Sequence, residues 1–265
     1  MKKIHKSAIV SKKAKIGKNV EIGPWCVIED DVAIGDNTKL WQNVYVAAGT
    51  TIGKDNVIHM GAVIGHEPQH LLYKGEKTGL EIGDKNIIRE YVTIHRSFEK
   101  GHKTIVGNNN YFMAASHVGH DCKVGNEVVM VNSSLLGGHV EVQDKVFMGG
   151  GAAAHQFTRI GTLAMIGGLT RVVQDVVPYT LLECDAEVRG LNLVGMKRAG
   201  INPAARLQLK EAYKMLYLSG LNIPHALKQM RDIPGAGKEV LCMVEFIEGS
   251  KRGICMNKRA AKQPT

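Results

Sequence analysis

Between Met113 and Phe157 the chain sets His117, His120, Asp121, His139, His155 and two glycine clusters on a six-residue hydrophobic beat. If three six-residue faces make one coil, residues 18 apart stack, placing His120 under Gly138, Gly138 under Gln156 and Asp121 under His139. Acyl transfer needs a general base for the acceptor and a donor for the oxyanion. His120 offers the base and Asp121 a carboxylate to orient it, while Gly138 can present a bare backbone N–H because it has no side chain. The bland alternative is that these segments only hold turns, with the histidines as surface polar groups. Four histidines within three coils argue against it.

The beat itself specifies what positions this wall. Every sixth residue from Ile4 to Val172 gives 29 positions, of which 26 are apolar, against roughly 13 expected by chance. The exceptions are His70, Glu76 and Lys100. Glycine follows an apolar beat residue 13 times, marking corners that need φ > 0 or have no room for a Cβ. Short strands meeting at such corners wind into a parallel β-helix, each coil about 4.8 Å above the last. The polar beat positions fall in 66–81 and 96–104, which read as loops thrown from one face, since the register resumes after each. The expected division is a β-helix over 1–185 and a linker with a small helical domain over 186–265. Thr180–Gly200, across that boundary, shows no clear period and reads as a linker. Asn202 and Pro203 cap a helix whose stripe is Leu209, Tyr213, Leu216 and Tyr217, and shorter helices are expected at 224–232 and 238–249.

Composition sets the bounds. Aromatics at 5% and 30 glycines disfavour an ordinary helical or doubly wound domain. Five cysteines without CxxC spacing point to a reducing cytoplasm rather than a disulfide framework. The start of the chain does not read as a signal peptide, and no apolar stretch is long enough to insert in a membrane, so a soluble chain is expected. The net charge of +9 comes with no nucleic-acid motif, which favours an acidic protein or a phosphorylated ligand as partner.

The hexapeptide rod, HVGHDC (117–122), LLGGHV (135–140), AHQF (154–157), the IGGL-to-VQDVVPY exit (166–179), GLNLVGMKRAG (190–200) and AYKMLYLSG (212–220) together resemble the UDP-N-acetylglucosamine acyltransferase family of lipid A biosynthesis. The resemblance covers essentially the whole chain. It implies a left-handed parallel β-helix followed by helices, a homotrimer with sites between subunits, no metal or other cofactor, and transfer of an (R)-3-hydroxyacyl chain from acyl carrier protein to the 3-position of UDP-GlcNAc. It makes His120 the general base, Asp121 its orienting partner and Gly138 the oxyanion donor. Gln69, His117, His139, His155 and Gln156 would line the sugar and acyl sites, Asn192 and Arg198 would contact the nucleotide, and Gly168 would set acyl-chain length. The basic surface would meet an acidic carrier protein.

Departures from the family pattern bear on the acceptor. PQHLLY (68–73) puts His70 and Leu72 where the family usually has aspartate and lysine; Cys184 and Asp185 replace Gly-Asn, and Ala199 replaces a second arginine. A 3-amino UDP-sugar giving an amide is therefore one alternative. An acetyl-CoA-dependent transferase on the same rod is another, although it would not need the helical domain. A catalytically silent scaffold is a third. A zinc-dependent carbonic anhydrase can also be built on this kind of rod, but the spacing of His117 and His120 differs from that of its histidine pair.

Overall fold

The computed structural model describes residues 3–183 and 186–257. The beat residues stack inside a three-sided parallel β-helix. The first face runs from Lys3–Ile4 to Met165–Ile166 and gains Thr180–Glu183 and Glu187–Leu191; the second runs from Ile9–Val10 to Arg171–Val172, and the third from Lys15–Ile16 to Arg159–Ile160. Most strands are two residues long, because each side of the coil turns after its beat residue. Register follows the 18-residue spacing, as in Lys123↔Glu141↔Arg159 and Val118↔Leu136. The apolar beat residues from Ile22 onward, such as Ile58, Ile94, Met130 and Ile166, are buried. Each side chain of this size contributes about 1.5–3 kcal/mol on burial.

The corners depart from expectation in one respect. The left-handed residue lies three places after the beat and is mostly not glycine: Asn37 (φ 58), Asp121 (φ 59), His139 (φ 59) and Phe157 (φ 65) are examples. A φ of this kind costs non-glycine residues about 1–3 kcal/mol, and ladder bonds on both sides hold it. The glycine directly after the beat is selected by close approach instead. A Cβ on Gly119 would lie 2.8 Å from the Leu136 carbonyl oxygen of the next coil.

Both loops leave between the second and third faces, and strand pairing shortens them to 67–78 and 96–102. Arg96 ties them together, donating to Tyr73 Oη at 3.1 Å and Glu67 Oε1 at 3.4 Å. The expected linker is structured. Thr180–Glu183 extends the first face in parallel, then pairs antiparallel with Glu187–Leu191. A hairpin follows a two-residue period, which is why the hexad vanishes there. Cys184 and Asp185 lie outside the described residues.

Helices follow at α1 (Leu193–Arg198), α2 (Pro203–Tyr217), α3 (Ile223–Arg231) and α4 (Lys238–Glu248). Asn202 caps α2 through the Ala205 N–H at 2.9 Å, and Leu209, Tyr213, Leu216 and Tyr217 are buried as the stripe predicted. The helical region is fastened to the rod at Asp175, which is buried and accepts from Arg159 N at 2.9 Å and Ser250 Oγ at 2.8 Å. Among the described residues, no helix is long and apolar enough to cross a membrane.

Candidate active site

The corner between the second and third faces brings the wall together. Successive coils place His120, Gly138 and Gln156 at one phase and Asp121, His139 and Phe157 at the next, so the ladder runs His139 N–H to His120 O (2.9 Å) and Phe157 N–H to Gly138 O (3.1 Å). A cleft of about 410 Å³ opens here, lined by Gln69 and His70 from the first loop and by His95, His117, His120, Gly138, His155 and Gln156 from the rod.

His120 is almost fully buried, and its Nδ1 lies 2.7 Å from Asp121 Oδ2. A carboxylate only accepts, so Nδ1 carries the proton and Nε2 keeps a lone pair, the tautomer a base needs. Asp121 is fixed in turn. Its carboxylate accepts from Ser97 Oγ and from the Phe98 N–H at 2.9 Å, and its own N–H donates to Thr104 Oγ1 at 2.8 Å. Burial works to raise the Asp121 pKa, but the bonds from His120, Ser97 and Phe98 outweigh it and hold the carboxyl well below the usual range. It therefore stays an anion able to stabilise an imidazolium.

Gly138 lies against the base. A Cβ there would come within 2.5 Å of His120 Cε1 and 2.6 Å of Nε2, so only glycine lets the imidazole lie over this backbone. Among the described residues, no acceptor is bonded to the Gly138 N–H. A base lone pair and an unbonded N–H thus share one cleft.

His117 bonds Thr93 Oγ1 through Nδ1 at 2.7 Å; burial, then the nearby His95 and His120, push its pKa down to about 4. His139 stacks on Phe157 at 4.6 Å and meets His120 edge-on at 5.2 Å, outside the lining of the cleft. Burial raises the Cys122 thiol to about 12, and Cys122 Sγ bonds the Gly137 carbonyl at 3.1 Å, so it is no nucleophile. His120, Asp121 and His139 could offer a metal three ligand atoms within 4.8 Å of one another. An ion there would have to displace the His120–Asp121 hydrogen bond.

Three expected site residues lie elsewhere in the chain. Asn192 caps α1, accepting from the Gly195 N–H and donating to the Leu163 carbonyl, each at 2.9 Å. Arg198 is in the last turn of that helix. Gly168 sits on the corner between the first and second faces, the opposite edge of the second face from His120, one coil above Gly150. Conversely, Ser97, Phe98, Thr104 and His95 belong to the site but were not singled out in the sequence: Ser97 and Phe98 come from the second loop, which carries no beat, and His95 and Thr104 sit on the strands either side of it.

Comparison with known proteins gives the relatives of this chain. Residues 175–255 match the family model described as Udp N-acetylglucosamine O-acyltransferase, domain 2, and residues 13–48 and 31–66 match the bacterial transferase hexapeptide. A Thermodesulfovibrio yellowstonii acyl-[acyl-carrier-protein]--UDP-N-acetylglucosamine O-acyltransferase is 48% identical over 261 residues, 96% of this chain and 100% of that protein. One from Rhizobium rhizogenes is 44% identical over 92% of this chain and 91% of its own length. The solved Francisella novicida UDP-N-acetylglucosamine acyltransferase superposes with a TM-score of 0.93 at 38% identity, covering 99% of each chain. That of Arabidopsis gives 0.86 at 36%, covering 95% of this chain and 99% of that one.

Proposed function

The chain belongs to the acyl-[acyl-carrier-protein]--UDP-N-acetylglucosamine O-acyltransferases, and from that membership we propose how its cleft carries out the reaction. The activity is acylation of UDP-N-acetylglucosamine from acyl carrier protein, in lipid A biosynthesis. His120 Nε2 takes the proton of the sugar 3-hydroxyl as that oxygen attacks the thioester carbonyl of an (R)-3-hydroxyacyl chain. The new oxyanion is met by the Gly138 N–H, and the imidazolium is held by Asp121. Collapse breaks the C–S bond, and the departing thiolate recovers the proton from His120. The proton goes out and back on one side chain. Gln69, His117, His155 and Gln156 line the space around the acceptor. The observation that carries this reading is the 2.7 Å His120–Asp121 bond beside an unbonded Gly138 N–H.

The cleft is completed in a homotrimer. The first and second faces expose apolar side chains, Phe147 (36%) and Ile87 (41%) on one, Leu135 (43%) and Ile9 (68%) on the other. The third face instead carries ion pairs such as Lys103–Glu81 at 3.0 Å and Lys123–Glu141 at 3.5 Å. The first face opens with the pair Lys3–Glu21 at 2.9 Å and the third also exposes Ile105 (43%), but from Val57 onward the first face is apolar, and two largely apolar faces suit three prisms around a threefold axis. Asn192, Arg198 and Gly168 would then serve a neighbour's cleft. Incubating the pure protein with acyl carrier proteins of several chain lengths and UDP-N-acetylglucosamine should give an O-acyl product by mass, and no product with any donor overturns the reading. Light scattering should give three times the chain mass.

A further inference from the structure

A further imidazole enters the cleft from the first loop, and no step above uses it. His70 is half-buried, stacked on Phe98 of the second loop with centroids 3.8 Å apart and planes 26° apart. It meets His120 at 5.3 Å with the planes 87° apart. Its Nδ1 is occupied, because the Leu72 N–H donates to it at 3.3 Å. An imidazole nitrogen that accepts a hydrogen bond carries no proton, so the ring proton is on Nε2. Among the described residues, His70 Nε2 has no partner. The loop therefore delivers a fixed ring, with a free N–H donor, beside the catalytic base.

We propose that His70 reads the acceptor, its Nε2–H donating to the same sugar 3-oxygen that His120 deprotonates, which has a second lone pair left for attack, so that the cleft selects a hydroxyl-bearing sugar over one carrying an amine. This rests on the O-acylation reading above. A protonated amine offers no lone pair to that N–H and leaves two donors facing each other in a confined cleft. A site built to bond one polar group rejects the analogue that cannot return the bond. Stacking on Phe98 alone would be made equally well by a phenyl ring, which is the feature a test can exploit.

The test compares wild type with His70→Phe, His70→Gln and His70→Asp, measuring kcat and KM for UDP-N-acetylglucosamine and its 3-amino analogue with one acyl carrier protein donor. His70→Phe keeps the stack and drops the donor, and should raise KM for the hydroxyl acceptor about tenfold with a smaller change in kcat. His70→Gln restores a neutral donor and should recover most of that loss. His70→Asp presents an anion, and should move the kcat/KM ratio toward the amine by about tenfold or more. Equal melting temperatures confirm that all four proteins are folded. A His70→Phe enzyme that matches wild type on both acceptors, or a His70→Asp enzyme with an unmoved ratio, overturns the assignment. Wild type that acylates neither acceptor overturns the functional reading itself, and this inference with it.

Discussion

Two corners of the same coil use one backbone phase in opposite ways. Between the third and first faces, the residue two places after the beat has its N–H bound by a side chain from the coil above: Lys18 by Asp36 (2.6 Å), Lys54 by Asp84 (2.9 Å), Asp84 by Asn108 (2.7 Å), Asn108 by Asn126 (2.8 Å) and Asn126 by Asp144 (2.7 Å). Inside that corner Asn56, Asn86 and Asn110 form a buried amide ladder. Between the second and third faces the same phase holds His120, Gly138 and Gln156, and the Gly138 N–H is left unbonded. One corner closes its donors in five coils and locks the coil. The other leaves a donor open beside a lone pair, and chemistry becomes available there.

The largest test of that contrast removes the base. His120→Ala should lower kcat by about 10²–10⁴-fold, the usual share of general-base catalysis, with the fold retained because His120 fills no part of the stacked core. An unfolded variant would place His120 with the structural residues instead. Gly138→Ala keeps every donor yet drives a methyl group into the imidazole, and should cost about 10²-fold with little change in melting temperature. Unchanged turnover in either variant would remove that residue from the mechanism.

Much of this was legible in the sequence, for a reason tied to the repeat. The beat fixes the coil, the coil fixes an 18-residue stack, and the stack alone puts Gly138 on His120 and His139 on Asp121. The limits have the same origin. Ser97 and Phe98 reach Asp121, and His70 reaches His120, through loops whose length the beat does not control. Gly168 shares the phase of Gly138, two places after the beat, but it lies two faces beyond Gln156 and so on a different corner. The hairpin of Thr180–Leu191 obeys a two-residue period that a six-residue search passes over.

The locked corner predicts a loss of stability rather than of turnover. Asn86 Nδ2 donates to Asn56 Oδ1 and to the Gly107 carbonyl, each at 3.0 Å, and its Oδ1 accepts from the Asn110 N–H at 2.9 Å. Asn86→Ala strands buried groups in two coils, and should cost about 2–4 kcal/mol in denaturant unfolding, with kcat unchanged in the folded protein. A variant as stable as wild type would mean the ladder follows the fold without holding it.

His117 offers a smaller, pH-dependent test. Its folded pKa of about 4 lies below the ordinary 6.5, so the unfolded chain binds the extra proton. Stability from the buried neutral ring is then fully present above about pH 6.5 and falls as the pH drops toward 4, by on the order of 2 kcal/mol. His117→Gln should flatten that part of the stability-against-pH curve. Parallel curves for the two proteins would show that His117 is solvated.

The smallest effect expected concerns Gly168, on the corner of neither ladder nor base. Its φ lies outside the left-handed region, and a Cβ there would meet only the Gly150 carbonyl oxygen, at 3.2 Å, and Gly150 N, at 3.9 Å. Backbone strain is therefore not the reason for glycine, and a side chain needs only a shift of a few tenths of an ångström. The neighbouring Leu169 is 85% exposed, an apolar group on the side a second subunit would cover. If an acyl chain runs past this corner in the trimer, Gly168→Met takes the space of about two methylenes, each worth about 0.8 kcal/mol, or roughly fifteenfold together. The ratio of kcat/KM between long and short hydroxyacyl donors should fall by about that factor, with turnover on the short donor kept because His120 is untouched. Equal loss on both donors would mean that the methionine disturbs subunit packing, and would remove Gly168 from the control of chain length.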